Sequence, residues 1–217
     1  MKQTPVDTSM SVLLVNWNSR EDTLRCLASL EAQGASSDGC EVILVDNGST
    51  DGSVEAVRAR FPRTLVVAEN DNLGFAEGCN RGLAVATRPW VFTLNNDAEL
   101  EPGGLATLRR ELEQLPATTA ALQPCLVFRD DPTRLNSTGV EMMTNGSARD
   151  RGFNEPRTTP MARDVFCPTA GAAVYRRTAL DQVRLSSGVF DRTFFMYVED
   201  VDLGWRLQLA GWSTLYL

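Results

Sequence analysis

The 217-residue chain has no histidine, so any proton transfer or metal ligation falls to carboxylates and amides rather than to imidazole. No run approaches the ~18 apolar residues of a membrane-spanning helix. The N-terminal stretch MKQTPVDTSM lacks the apolar segment of a secretory signal. No C-x-x-C pair occurs. The five cysteines (Cys26, Cys40, Cys79, Cys125, Cys167) are odd in number and widely spaced, which reads as reduced, mostly buried thiols of a cytoplasmic protein. A basic excess is also missing. The formal charge of −7 weighs against nucleic acid as a partner, although a metal could still neutralise the phosphates of a local nucleotide pocket. The dinucleotide fingerprint G-x-G-x-x-G is absent too.

What remains is ordinary globular composition, 43% hydrophobic and 23% charged, enough for a sizeable core. Ser11 to Asn16 (SVLLVN) is apolar without alternation, as expected of a strand covered on both faces. Asn18-Ser19 then starts a helix, with Asp22 completing a capping-box pattern. The unit repeats. Strands are expected at 42–45, 65–68 and 90–94, each followed by apolar residues at helical spacing, and Pro102 suits the first turn of the fourth helix. Four such units in about 115 residues predict an α/β fold, an open and mostly parallel sheet with helices on both faces.

In such sheets the ligand lies beyond the carboxyl ends of the strands. Those ends carry Asn16, Asp46, the segment 69–72 and Asn95-Asn96-Asp97, all polar. Beyond Leu115 the rhythm breaks. A strand is expected within 120–128, and Asn145-Gly146 reads as a turn between two extended pieces. A small-residue stretch leads to Val174-Tyr175. A last helix is expected from Glu199, with Val198, Val201, Trp205 and Leu209 spaced three, four and four, and with Gly211 just after its end.

Each polar motif has a structural and a functional reading. Asn95-Asn96-Asp97 could be a turn at a strand exit, or an oxygen-ligand set for Mg²⁺ or Mn²⁺, ions that bind through one or two carboxylates plus substrate phosphates. Glu199, Asp200 and Asp202 could complement a helix dipole, with Asp202 paired to Arg206. They could equally form the carboxylate wall of a pocket that holds a general base. In the stretch 72–82, close helix–strand packing accounts for Gly78 and Gly82. Asn80 has no such explanation and reads as functional.

In order along the chain, the segments VLLVNWNS, VILVDNGSTDGS, ENDNLGFAEGCNRG, TLNNDAEL, TAGAAVYRR and FFMYVEDVDLGWRLQLAGW resemble the GT-A glycosyltransferases of family 2, especially bacterial rhamnosyltransferase-like members. The resemblance covers nearly the whole chain. It implies a GT-A, Rossmann-like sheet with an acceptor-side insertion in a single domain, about 10–115 binding the nucleotide-sugar and about 116–217 facing the acceptor. It further implies that Asn16 and Asp46 contact the nucleoside, that Asn72 and Asn80 border base and ribose, and that Asn95 and Asn96 belong to the donor site. Asp97 would hold Mg²⁺ or Mn²⁺. Gly171 and Ala172 would line the donor sugar and acceptor region. Glu199 and Asp200 match the family's acidic pair, with Asp200 favoured as base and Glu199 close behind.

The implied reaction is an inverting displacement, in which a base takes the acceptor proton and the metal stabilises the departing diphosphate. A dTDP- or UDP-sugar, with dTDP-rhamnose favoured, would be the donor. A saccharide or lipid-linked acceptor of bacterial surface polysaccharide synthesis would be reached by peripheral association with the inner face of the plasma membrane. Asn95 stands where the family has an acidic residue, and the family's metal-ligating histidine is missing. The strand-like ending Leu215-Tyr216-Leu217 reads either as a truncated core or as a chain whose metal site is completed by water and phosphate. Two other readings are a non-catalytic sugar-nucleotide-binding module and a nucleotidyltransferase. The second is disfavoured because no glycine follows the first strand.

Overall fold

The computed structural model describes residues 6–35 and 39–217; residues 1–5, half of the stretch read as lacking a signal segment, lie outside the described residues. The four expected units are present: β1 (Met10–Asn16), α1 (Arg20–Ala32), β2 (Cys40–Asp46), α2 (Ser53–Arg60), β3 (Leu65–Ala68), α3 (Gly74–Val85), β4 (Trp90–Leu94) and α4 (Gly104–Gln114). Their strands are apolar on both faces because both faces are covered. Val12 and Leu14 pack towards α1, α2 and α4, while Leu13 and Ile43 pack towards the opposite layer of α3, α5 (Arg177–Gln182) and α6 (Glu199–Leu209).

Where the sequence rhythm breaks, the chain still feeds the same sheet. β5 (Thr119–Gln123), β10 (Asp164–Val165), β11 (Ala172–Arg176) and β12 (Ser213–Tyr216) complete eight strands in the order β10-β12-β5-β11-β4-β1-β2-β3. β11 runs antiparallel between β4 and β5, and β10 runs antiparallel on β12, while the remaining pairs are parallel. The strand expected within 120–128 is two pieces, β5 and β6 (Leu126–Val127), which pairs with β7 (Leu135–Ser137); Pro124 interrupts the run. Asn145-Gly146 does join two extended pieces, β8 (Val140–Met142) and β9 (Ala148–Asp150), paired antiparallel.

Two local expectations change. Ser19 precedes α1, but its hydroxyl donates to Asp22 Oδ2 (3.1 Å) instead of capping the backbone. The last helix keeps its expected start and end, with Gly211 at φ +87°, yet its buried face is Glu199, Leu203, Gly204 and Leu207. The stripe Val198, Trp205 and Leu209 faces outward, with Leu209 82% exposed. Both stripes have helical spacing, and the one that packs holds the small Gly204, whose Cα lies so close to Cys167 that a Cβ there would sit 2.3 Å from Cys167 Cβ. The close approach selects the face.

The same logic seats α3. A Cβ at Gly82 would lie 1.9 Å from Leu13 Cδ1, and one at Gly78 would lie 2.7 Å from Val15 Cγ1. The helix is thus pressed onto β1 at a distance only glycine permits. Gly82→Ala is expected to destabilise by about 1–3 kcal/mol through overpacking. Urea unfolding with an unchanged slope would read this directly; an unshifted midpoint would mean that α3 can ride higher on the sheet. All five cysteines are free, and four are buried. Among the described residues no helix is long and apolar enough to cross a membrane.

Candidate active site

The register that aligns β1, β2 and β4 brings their polar ends together, since Asn16 and Asp46 are direct cross-strand partners. Asn16 is fully buried and donates to Asp46 Oδ2 (2.7 Å) and to Ser49 Oγ (3.1 Å). Its carbonyl oxygen accepts from Thr23 Oγ1 (2.9 Å) and from Asn96 Nδ2 (3.0 Å). Every hydrogen-bonding position of this amide is therefore taken inside the protein. Asp46 is equally enclosed: its other oxygen accepts from the Ser49 N–H (2.8 Å). These residues form a knot tying three strand ends together, in which Asn16 supports the residues around it.

Asn72 and Asn80 also have internal occupations. Asn72 Oδ1 accepts from the Gly74 N–H (3.0 Å) in the turn that leads into α3. Asn80 Nδ2 donates to the Phe190 carbonyl (2.7 Å), while its oxygen accepts from the Val189 and Phe190 N–H groups at 2.9 and 3.1 Å. The residue that lacked a structural explanation has one: it clamps a turn more than a hundred residues downstream. Asn47, absent from the sequence-derived site, is 2% exposed and donates to the Gly74 carbonyl (3.0 Å), but its oxygen is buried without a partner. Its place directly after Asp46 at a strand end was the available signal.

β4 ends in the three residues that open towards solvent. The Asn95 N–H donates to the Gly171 carbonyl (2.8 Å), joining β4 to the start of β11. Asn96 turns back to Asn16 and Thr23. Asp97 is exposed, and among the described residues no hydrogen bond reaches its carboxylate. Its carbonyl accepts from Arg129, which also pairs with Asp22 and Glu99. No three Asp, Glu, Cys or His side chains among the described residues form a ready cluster for an ion. One free carboxylate beside an amide still fits a hard divalent cation, which commonly keeps water and substrate phosphates in its shell.

Next to Asn95 and Gly171 lies a cavity of about 490 Å³. Its floor is Thr169, Glu199 and Asp200, and its far wall is the β8–β9 hairpin with Arg149 and Asp150. Asp97, Asn16 and Asp46 are outside it, so it adjoins the strand-end cluster without containing it. Gly171 lines the cavity, whereas the Ala172 side chain points away into the core against the α1–α4 layer. A Cβ at Gly171 would crowd the Asn95 amide at 3.2 Å. The cavity mouth is built by a contorted segment in which Phe195, Tyr197 and Val198 have φ of 55°, 71° and 63°. For bulky residues this backbone region costs on the order of 1–3 kcal/mol each. Gly74, itself at φ +81°, helps hold the segment, because a Cβ there would lie 2.5 Å from the Phe195 carbonyl, which accepts from Ala76. Tyr197 is left 72% exposed at the rim.

The three acids opening α6 separate by partner. Asp202 pairs with Arg206 (2.7 Å), and Arg206 also donates to the Val183 and Val189 carbonyls. That one is structural. Asp200 accepts from the Ala170 N–H (3.1 Å) and the Val201 N–H (2.8 Å), which fixes it at the cavity floor. Burial pushes its carboxyl above the usual range, against the opposing pull of those N–H bonds. Glu199 is 5% exposed, and its Oε2 is buried without a partner. Burial first, and then the neighbouring Asp200 charge, raise it to about 7. Raised carboxyl groups at a cavity floor are what general acid–base chemistry requires.

A mostly parallel sheet whose strand ends meet an acid-floored cavity defines a GT-A glycosyltransferase architecture. The chain matches the Glycosyl transferase family 2 model over residues 11–184 and belongs to that family. It is 29% identical over 231 residues to an N-acetylglucosaminyl-diphospho-decaprenol L-rhamnosyltransferase of Mycobacterium tuberculosis, covering 96% of this chain and 73% of the relative. It is 30% identical over 142 residues to the uncharacterized glycosyltransferase YibD of Escherichia coli, covering 60% of this chain and 40% of that one. Among solved structures, the mannosyltransferase PcManGT from Pyrobaculum calidifontis, in complex with GDP-Man and Mn²⁺, aligns with a TM-score of 0.69 at 19% identity. TarS of S. aureus aligns with the same score and identity. The alignments cover 100% and 96% of this chain but only 57% and 58% of those two, so the chain spans less than three fifths of either. The protein is a family 2 glycosyltransferase.

Proposed function

We propose that this chain transfers a sugar from a nucleotide-diphosphate donor, rhamnose from dTDP-rhamnose first and the sugar of a UDP-sugar second, to a saccharide or lipid-linked acceptor, with inversion at the anomeric carbon. The observation that carries the reading is Asp200, held by two backbone N–H groups on the floor of a cavity beside Asn95 and Gly171. The 29% identity to a relative named for rhamnosyl transfer onto N-acetylglucosaminyl-diphospho-decaprenol supports the donor and acceptor classes.

In this mechanism the acceptor hydroxyl enters the cavity, and Asp200 takes its proton as the oxygen attacks the anomeric carbon. The N–H groups of Ala170 and Val201 keep the Asp200 oxygens aimed and limit the cost of its charge. Asp97 would hold Mg²⁺ or Mn²⁺, and the ion would supply Lewis-acid neutralisation of diphosphate charge. The cavity wall from the β8–β9 hairpin and the Tyr197 rim receive the acceptor saccharide, which the protein meets at the inner face of the plasma membrane.

The test is transfer from dTDP-rhamnose and from UDP-sugars to a synthetic prenyl-diphosphate N-acetylglucosamine, with Mg²⁺ or Mn²⁺ present. The expected outcome is a rhamnosylated product of inverted configuration, with turnover from dTDP-rhamnose at least tenfold above any UDP-sugar, a difference of about 1.4 kcal/mol in barrier. Retained configuration, or binding without turnover in the presence of metal and acceptor, would overturn the reading.

A further inference from the structure

The acidic pair opening α6 is asymmetric in a way that a single base does not explain. Asp200 is served by two backbone N–H donors from different segments, Ala170 and Val201. Glu199, one residue earlier, is 5% exposed, and its Oε2 has no partner among the described residues. On β11 the Tyr175 hydroxyl is likewise buried and unpartnered among the described residues, with the ring 1% exposed and set edge-on against Phe190 at 6.1 Å. Two orphaned polar atoms beside an active-site carboxylate are rare, because each costs about 1–3 kcal/mol if left unsatisfied.

The surroundings decide which carboxylate carries charge. From α3, Cys79 faces the pair; from β11, Tyr175; from the loop before β11, Cys167; and from the hairpin, Asp150. The Cys79 and Cys167 thiols and the Tyr175 phenol are all pushed upward by burial and remain neutral. The guanidinium on the cavity wall, Arg149, is bound to Glu141 at 2.6 Å. Two adjacent buried carboxylates without a facing cation do not ionise independently, and the first charge settles where hydrogen-bond donors stabilise it. That place is Asp200.

We propose that Glu199 is a positioning residue that works as a neutral carboxylic acid, keeping its proton in its buried, donor-poor position and leaving Asp200 the sole anion of the pair. Glu199 shares the cavity floor with Asp200 and acts through it, not as the base. Its neutrality keeps a second negative charge off the cavity floor while charge develops on the leaving diphosphate. The proposal rests on Asp200 being the base. It follows that ionising Glu199, which titrates at about 7, opposes transfer.

The test compares Glu199→Gln and Glu199→Ala with the parent, measuring kcat and KM from about pH 6 to pH 9. Glutamine has the shape of the neutral acid and cannot ionise. The parent is expected to lose roughly tenfold in kcat between about pH 7 and pH 8.5. The Gln variant is expected to stay within a few-fold of the parent at about pH 6.5 and to lose that alkaline decline, with KM for the donor unchanged. The Ala variant is expected to be slower at every pH. The melting temperature gives a second readout. A raised carboxyl destabilises the fold as pH climbs from its unfolded value near 4.5 through 7, so the Gln variant should match the parent below that window and melt higher above it.

A Gln variant as inactive as one lacking the base would show that Glu199 must ionise, and would overturn the proposal. A Gln variant with the parent's pH profile and melting curve would reduce Glu199 to packing, and would overturn it equally. Full activity in Asp200→Asn would instead remove the base assignment beneath it, so the two failures are distinguishable.

Discussion

Asp200→Asn is expected to lower kcat for sugar transfer by about 10²–10⁴-fold, the usual contribution of a positioned general base, with donor affinity unchanged. Asparagine keeps the shape of the side chain and one oxygen for the Ala170 or Val201 N–H, so the start of α6 and the cavity floor should persist. It removes only the capacity to take a proton. Two measurements are needed, because kcat alone does not separate a lost base from a displaced helix. Calorimetric titration of the nucleotide should give the parent's affinity, and thermal unfolding should show a fold no less stable at neutral pH, since the substitution removes a buried carboxyl whose ionisation burial opposes. Transfer within tenfold of the parent would move the base elsewhere, with Glu199 the next candidate.

Asp97→Ala is expected to abolish the metal dependence of nucleotide binding and to lower kcat/KM by roughly 10² or more, because neutralising a leaving diphosphate contributes several kcal/mol. Among the described residues no hydrogen bond reaches the Asp97 carboxylate, so its loss does not disturb the knot around Asn16. Stability should therefore change by no more than ~0.5 kcal/mol, as for an exposed side chain. The decisive comparison is nucleotide affinity with and without Mn²⁺ in parent and variant. Equal Mn²⁺ enhancement in both would place the ion on other ligands. An Asn96 substitution should behave differently, since that side chain donates to Asn16 and Thr23 and its loss would loosen the knot.

The four leading strands, the helices between them and the polar character of every strand end were legible along the chain. Each is a local pattern: β-branched runs of four to seven residues, apolar residues three and four apart, and Asn or Asp where a strand stops. The acidic pair at 199–200 was visible for the same reason, as was the Asp202–Arg206 pairing one helical turn away.

The division of labour among the polar residues was not legible, because it is made by contacts between distant segments. Asn80 meets Phe190 across 110 residues and Asn96 meets Asn16 across 80, so nothing near either residue marks it as a clamp instead of a ligand contact. The period of Val198, Val201, Trp205 and Leu209 marked α6 as a helix but not its packed face, which the close approach of Gly204 to Cys167 selects by burying Leu203 and Leu207. Ala172 follows Gly171 in the chain but, in an extended strand, necessarily points to the opposite face, into the core. The orphaned oxygens of Glu199 and Tyr175 exist only once β11 lies under α6. Periodicity and local chemistry thus specified the sheet, its polar rim and the presence of an acid pair. Side-chain packing between segments far apart in sequence assigned each polar group either to the protein or to the ligand, because burial and hydrogen-bond partnership belong to the folded arrangement and have no local signature.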